Sequence, residues 1–179
     1  QFYDVLLETL KERAKFGPVA PVAPPAPFPV AAFHPLRVLL VEDNFGNRQI
    51  TLMLLRKLGY KPVAVEHGAA CLEMLAKQDY DLVLLDVQMP GIDGLETARR
   101  IRAWEKEHGR ETHVRGAAYV CALTANAIKG DREACLDSGM DDYLAKPIHG
   151  ADLRALVERV WARKGTPASG PGFLSEQAG

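Results

Sequence analysis

Five side chains capable of chemistry stand at the ends of apolar runs in this chain. Glu42 and Asp43 follow "RVLLV", Asp86 follows "LVLL", Thr124 follows "VCAL" and Lys146 follows "DDYLA". Carboxylates gathered in one place repel. Two unit charges about 4 Å apart cost roughly 4 kcal/mol at an effective dielectric of 20. A proton or a cation must relieve that cost. Oxygen-only ligands with open positions suit Mg²⁺, which keeps several waters and is seldom enclosed by protein groups alone. A carboxylate nucleophile beside a divalent cation, an ammonium and a hydroxyl is suited to phosphoryl transfer. The cation and Lys146 would neutralise the phosphoryl oxygens and Thr124 would donate to one of them. The product would be an aspartyl phosphate. Each residue alone has a plainer use: Asp43, Asn44 or Thr124 as a helix cap, Lys146 as a surface lysine before Pro147. Only their joint placement argues for a site.

The elements between them decide whether they meet. From Leu36 onward strand-like and helix-like patterns alternate. "RVLLVE", "KPVAVE", "DLVLLD", "AAYVCALT" and "DDYLAK" are short apolar strands. "NRQITLMLLRKLGY", "AACLEMLAKQ", "GLETARRIRAWEKEHG", "AIKGDREACLDSG" and "GADLRALVERVWARKG" are helical. In the first helix Ile50, Leu54, Leu55 and Leu58 fall on one face, and Gly59 is a stop signal. This alternation predicts right-handed crossovers and a parallel sheet covered on both faces. In such a sheet ligands bind at the carboxyl ends of the strands, which is where the five residues fall. In "LLDVQMPGIDGLE", Gly91 and Gly94 let the loop after Asp86 turn sharply beside Pro90.

The remaining segments set the boundaries. Residues 1–16 read as a short amphipathic helix, with Phe2, Val5, Leu6, Leu10 and Ala14 as its apolar stripe. It belongs to an upstream region or serves as a pairing helix. Residues 17–35, "GPVAPVAPPAPFPVAAFHP", read as a Pro/Ala-rich linker, expected to be extended rather than helical. Residues 36–164 form the main domain and 165–179 a turn-rich tail. The start at Gln1, without a methionine or a signal-peptide pattern, points to part of a longer or processed chain. The net charge of −1 favours neither nucleic acid nor an anionic membrane as partner. No apolar run approaches the roughly 20 residues of a membrane span. Three cysteines without a CxxC pair read as free thiols, with Cys121 a small core residue. His34, His67, His108, His113 and His149 show no metal spacing and read as loop or surface residues. Trp104 and Trp161 read as packing or partner contacts.

The motifs "VEDN", "LLDVQMPGIDGLE", "ALTAN" and "DDYLAKP", taken together, resemble the receiver domain of two-component response regulators over Leu36 to about Lys164. "VEDN", "DVQMPGIDG" and "GMDDYLAKPI" are most similar to receivers of hybrid sensor histidine kinases. The resemblance implies a doubly wound α/β fold with a five-stranded parallel sheet of order 2-1-3-4-5, flavodoxin-like. It implies that Asp86 accepts a phosphoryl group from a phosphohistidine. Mg²⁺, with Mn²⁺ able to substitute, would be held by Asp43, Asp86 and the main-chain carbonyl of Gln88, with Glu42 assisting. Lys146 would contact the phosphoryl group. Thr124 and Tyr143 would form a switch pair, Gln88 and Asn126 would tune the lifetime of the phosphoryl group, and the peptide before Pro147 would be cis. Partners would be a histidine kinase or a histidine phosphotransfer domain in the cytoplasm. A surface built from the fourth helix, fifth strand and fifth helix would change its contacts or pair two copies. The alternative is a receiver-fold scaffold that does not use phosphorylation. No glycine-rich ATP loop is present, so the chain carries no kinase core. An aspartyl-phosphate hydrolase of the dehalogenase type needs an aspartate where Gln88 stands.

Overall fold

The computed structural model describes residues 30–110, 117–125 and 129–164. The amphipathic segment 1–16, most of the Pro/Ala-rich segment, Asn126 and the tail 165–179 lie outside these residues. Five strands build one sheet: β1 (Val38–Val41), β2 (Val63–Val65), β3 (Leu82–Asp86), β4 (Tyr119–Thr124) and β5 (Asp142–Ala145). All neighbours are parallel and the order is β2-β1-β3-β4-β5. The helices are α1 (Phe45–Lys57), α2 (Gly68–Lys77), α3 (Gly94–Glu107), α4 (Lys129–Asp137) and α5 (Gly150–Lys164).

The two-residue period of a strand divides the core. Leu40, Leu84, Cys121 and Leu123 pack with Leu52 and Leu55 of α1 and Leu153, Leu156 and Val157 of α5. Leu39, Val41, Val83, Leu85, Val120 and Ala122 pack on the other face with Cys71 and Leu75 of α2, Ala98 and Ile101 of α3 and Cys135 of α4. Both faces of β1, β3 and β4 are thus apolar, as expected of a parallel sheet covered by crossover helices. All three cysteines are buried and none forms a disulfide, and burial pushes the Cys71 thiol up to about 12.

The α1 stripe differs from its sequence expectation. Ile50 is exposed, whereas Thr51, Leu52 and Leu55 face the core. The Thr51 hydroxyl donates to the carbonyl of Asn47 at 3.0 Å, which lets a polar side chain occupy the buried side of the helix. The end of the Pro/Ala-rich segment also differs from extended chain. Val30–Phe33 form a single helical turn, closed by the His34 N–H donating to the Val30 carbonyl at 2.9 Å. "VAAF" carries no proline, so nothing prevents that turn. It docks on the domain: Val30 is buried, Ala31 N–H donates to the Leu58 carbonyl at 3.0 Å, and the Tyr60 hydroxyl donates to the His34 carbonyl at 2.9 Å. His34 lies against Trp161, so it is not a plain surface histidine.

Short polar residues after the strands start the helices. Asn44 accepts the Asn47 N–H at 3.1 Å, His67 the Ala70 N–H at 3.1 Å, and Asp93 the Glu96 N–H at 2.7 Å. At the opposite end of the sheet, Arg102 of α3 ties three segments together. It donates to the Gly139 carbonyl at 2.7 Å, to the Ala118 carbonyl at 2.9 Å, and to Glu105 and Asp141, each at 2.6 Å. Glu105 in turn accepts the Ala118 N–H and Asp141 the Val120 N–H, at 2.6 and 2.8 Å.

Gly94 opens α3 directly over the loop after β3. A Cβ there would lie 2.2 Å from the Asp86 carbonyl oxygen and 2.7 Å from Val87 Cα. Backbone cannot yield as a flexible side chain can, so any larger residue pushes α3 off the end of β3. Gly94→Ala is expected to lower stability by about 1–3 kcal/mol, read as a lower denaturant midpoint at unchanged slope. An unshifted midpoint would show that the helix start moves freely.

Candidate functional site

The five chemical residues converge at the carboxyl edge of the sheet. Glu42 directly follows β1, its N–H donating to the Val65 carbonyl at 3.1 Å, and it is 0% exposed. Asp43 comes next in the chain. Asp86 ends β3 at 4% exposure, and Thr124 ends the adjacent β4, also buried. Lys146 follows β5, and its N–H donates to the Thr124 carbonyl at 2.8 Å. The Lys146–Pro147 peptide bond is cis.

Carboxylate oxygens of Glu42, Asp43 and Asp86 all lie within 4.8 Å of one another. Lys146 reaches over them. Its Nζ is 2.7 Å from Glu42 Oε2 and 2.8 Å from Asp86 Oδ2. The other Asp86 oxygen, Oδ1, accepts the Gln88 N–H at 3.1 Å, which folds the start of the loop back over the carboxylate. The Val87 N–H donates to the Leu123 carbonyl and the Gly94 N–H to the Val87 carbonyl, at 3.1 and 3.0 Å, so the loop is held at both of its ends. Gly91 supplies the left-handed turn, at φ +82°.

Electrostatics follow the burial. Removal from water raises the Glu42 carboxyl above its ordinary value. The nearby Asp86 charge raises it further, and Lys146 and Asn47 offset only part of this. Burial alone would lower the Lys146 ammonium, but the hydrogen bonds and charges of Asp86 and Glu42 outweigh it and hold the group above its ordinary value. Lysine therefore stays charged, while the charged form of Glu42 remains disfavoured.

The donor set fits a small hard cation. It offers three carboxylates on one edge and no nitrogen or sulfur ligand. Glu42 Oε2 is buried without an aligned hydrogen-bond donor, balanced only by the ion pair with Lys146.

Of the other predicted residues, Gln88 sits in the loop beside Asp86. Tyr143 lies on β5, half-buried, with the Arg132 guanidinium 5.8 Å from its ring centre. Asn44 turns out to be the cap of α1. Two supporting residues escaped the sequence reading. Asn47 donates to Glu42 Oε1 at 3.2 Å. Arg48 donates to the main-chain carbonyls of Glu42 and Asp43 at 2.9 and 3.2 Å and pairs with Glu66 at 2.8 Å. A polar residue one turn into α1 was the only available signal.

Known proteins are similar to this chain. A family model described as the response regulator receiver domain matches residues 38–158. Sensor histidine kinase GacS from Pseudomonas protegens is 41% identical over 142 residues, covering 79% of this chain and 15% of that protein. The chain therefore spans a small part of that relative. Among solved structures, the receiver domain of a Pseudomonas aeruginosa sensor histidine kinase, with a magnesium ion coordinated in its active site cleft, is 41% identical at a TM-score of 0.60. That match covers 70% of this chain and 96% of that one. The Saccharomyces cerevisiae receiver of Ssk1, crystallised with the histidine phosphotransfer protein Ypd1, is 28% identical at a TM-score of 0.68, covering 75% and 94%.

Two measurements probe the acid cluster. A cation that binds only the folded state adds about 2.7 kcal/mol at 100 times its Kd. Mg²⁺ is therefore expected to raise the melting temperature of the wild type, and to do so far less in Asp43→Asn. In metal-free buffer, the folded state holds the Glu42 proton to higher pH than the unfolded chain, so Glu42's contribution to stability falls as pH rises above 4.5. Glu42→Gln has no such charge. Its stability should approach that of the wild type at low pH and gain on it as pH rises. A wild type that gains instead would mean that pairing with Lys146 outweighs burial.

Proposed function

We propose, from the premise that this chain belongs to the response regulator receiver family, that Asp86 is a phosphoacceptor served by a phosphohistidine on a kinase or histidine phosphotransfer partner. A receiver domain of two-component signalling is what the family membership gives. The observation that carries the finer reading is Lys146 Nζ, 2.8 Å from Asp86 Oδ2 where three carboxylates meet.

In this reading an Asp86 carboxylate oxygen attacks the phosphorus, a P–O bond forms, the P–N bond to imidazole breaks, and the neutral imidazole leaves once protonated. Asp43 and Asp86, with the Gln88 carbonyl and Glu42 in support, would hold Mg²⁺, or Mn²⁺ in its place, which would supply charge neutralisation at the phosphoryl oxygens. Lys146 moves its second contact from the carboxylate to the phosphoryl group. That motion is short, because the ammonium already bridges Asp86 and Glu42. Thr124 donates its hydroxyl from the end of β4. Its turn toward the phosphoryl group leaves room for the Tyr143 ring, which sits half-buried on the next strand. The phosphoryl state thereby biases the surface around β5, or the group passes on to another histidine. Partners that make phosphohistidine from ATP place the domain on the cytoplasmic side.

The test is incubation with Mg²⁺ and acetyl phosphate, followed by intact mass measurement. Wild type should gain one phosphoryl group and Asp86→Asn none. Lys146→Met should melt below the wild type in metal-free buffer, and should accept the group far more slowly at a temperature where its melting curve shows it folded. Modification of neither protein, by acetyl phosphate or by a phosphorylated phosphotransfer domain, would leave a binding scaffold as the reading.

A further inference from the structure

We propose that Arg48 is a positioning residue for the acid-bearing loop after β1, and that through this loop it sets the affinity of the site for Mg²⁺. The inference rests on reading the acid cluster as a Mg²⁺ site and adds a residue to it.

The acids differ in how they are held. Glu42 is buried and receives Asn47 and Lys146. Asp86 receives the Gln88 N–H and Lys146. The Asp43 carboxylate meets no side-chain donor among the described residues. Its aim depends on the main chain that carries it. That main chain is held from within α1. The Arg48 guanidinium folds back over the helix start and donates through Nη1 to both carbonyls, of Glu42 and of Asp43. Its other nitrogen, Nη2, is fixed by Glu66 in the loop after β2, at 2.8 Å. The Arg48 side chain is only 12% exposed whereas Glu66 is 67% exposed, so the two carbonyls are the firmer of its contacts. The planar fork of arginine reaches three oxygens on two loops at once; an ammonium is a point charge and holds fewer of them in fixed directions. Asn44 caps the same helix start from the other side, so the loop is pinned at both ends.

Charge and geometry predict opposite signs here. Arg48 is a cation a few ångströms from a cation site. By Coulomb repulsion alone, its removal should tighten Mg²⁺ binding. By positioning, its removal should weaken binding, because the Asp43 oxygen is no longer held in place before the metal arrives. Groups that orient metal ligands without touching the metal typically contribute about 10–100-fold in affinity. Positioning should therefore win.

The experiment is calorimetric titration of Mg²⁺ into the wild type, Arg48→Ala, Arg48→Lys and Glu66→Gln, with melting curves in EDTA for each. Arg48→Ala should bind Mg²⁺ about tenfold more weakly, Arg48→Lys should recover part of that loss, and Glu66→Gln should lose a smaller factor. Phosphorylation by acetyl phosphate should show a raised half-saturating Mg²⁺ concentration in Arg48→Ala, with the rate restored at saturating Mg²⁺. Unchanged or tighter Mg²⁺ binding by Arg48→Ala overturns the proposal. If Arg48→Ala does not melt cooperatively in EDTA, Arg48→Lys and Glu66→Gln decide: wild-type affinity in both overturns it. A wild type that binds no Mg²⁺ overturns instead the reading of the site on which the proposal stands.

Discussion

Like-charge repulsion at the sheet edge is the constraint that the structure answers. Three carboxylates lie within 4.8 Å of one another, and one of them is removed from water altogether. Lys146 is the only cation among the described residues placed in ion-pair contact with two of them. Its attraction outweighs its own burial but not that of Glu42. Formal charges show why. Three acids and one ammonium leave −2, which a divalent cation would cancel. Carboxylates this close repel, so the fold around them must be stiff enough to hold them together.

That stiffness comes from the sheet. β3, the central strand, has β1 on one side and β4 on the other, and both of its faces are covered by helices. Asp86 cannot retreat along its strand, because Leu82 to Leu85 are each fully buried and registered against β1 and β4. The acid loop after β1 cannot spread, because Arg48 and the Asn44 cap hold it. Gly94 lets α3 begin against the Asp86 carbonyl. At the far end of the sheet Arg102, Glu105 and Asp141 bind α3 to the starts of β4 and β5, which leaves the carboxyl edge as the place where loops are free to carry chemistry.

Much of this was legible in the sequence because the signals were strong and local. Apolar runs that end in Asp86, Thr124 and Lys146 fix both the strand and the position of the functional group on it. Alternation with helices then brings those ends together without any knowledge of contacts. What stayed hidden depends on partners distant in sequence. Arg48 reads as one more charged residue on a helix until Glu66 and two carbonyls are seen around it. Nothing in "AWEKEHG" separates the buried Glu105 from the surface Glu107. Ile50 was placed in the core because hydropathy favours it over Thr51. The phase of α1 is set instead by its cap and by Leu52 and Leu55, and Thr51 hides its hydroxyl on its own helix. The turn Val30–Phe33 escaped notice because prolines on both sides dominated the composition around it.

The same charge arithmetic describes how a signal could leave the site. With a divalent cation bound, the formal sum is zero. Converting the Asp86 carboxylate to an acyl phosphate dianion takes it to −1, and the new charge sits farther out than the old. Lys146 and Thr124 stand at the same sheet edge, one just after β5 and one at the end of β4. The backbones of these two residues are joined by the Lys146 N–H to Thr124 carbonyl bond, which keeps their side chains on neighbouring strand ends. Tyr143 lies three residues before Lys146 on that strand, and the Arg132 guanidinium of α4 rests near its ring. In the proposed reading, a change of one charge at the edge of the sheet would have a short, contiguous route to the surface shared by β5 and α4. That route would run through side chains at the strand ends and would ask no motion of the core.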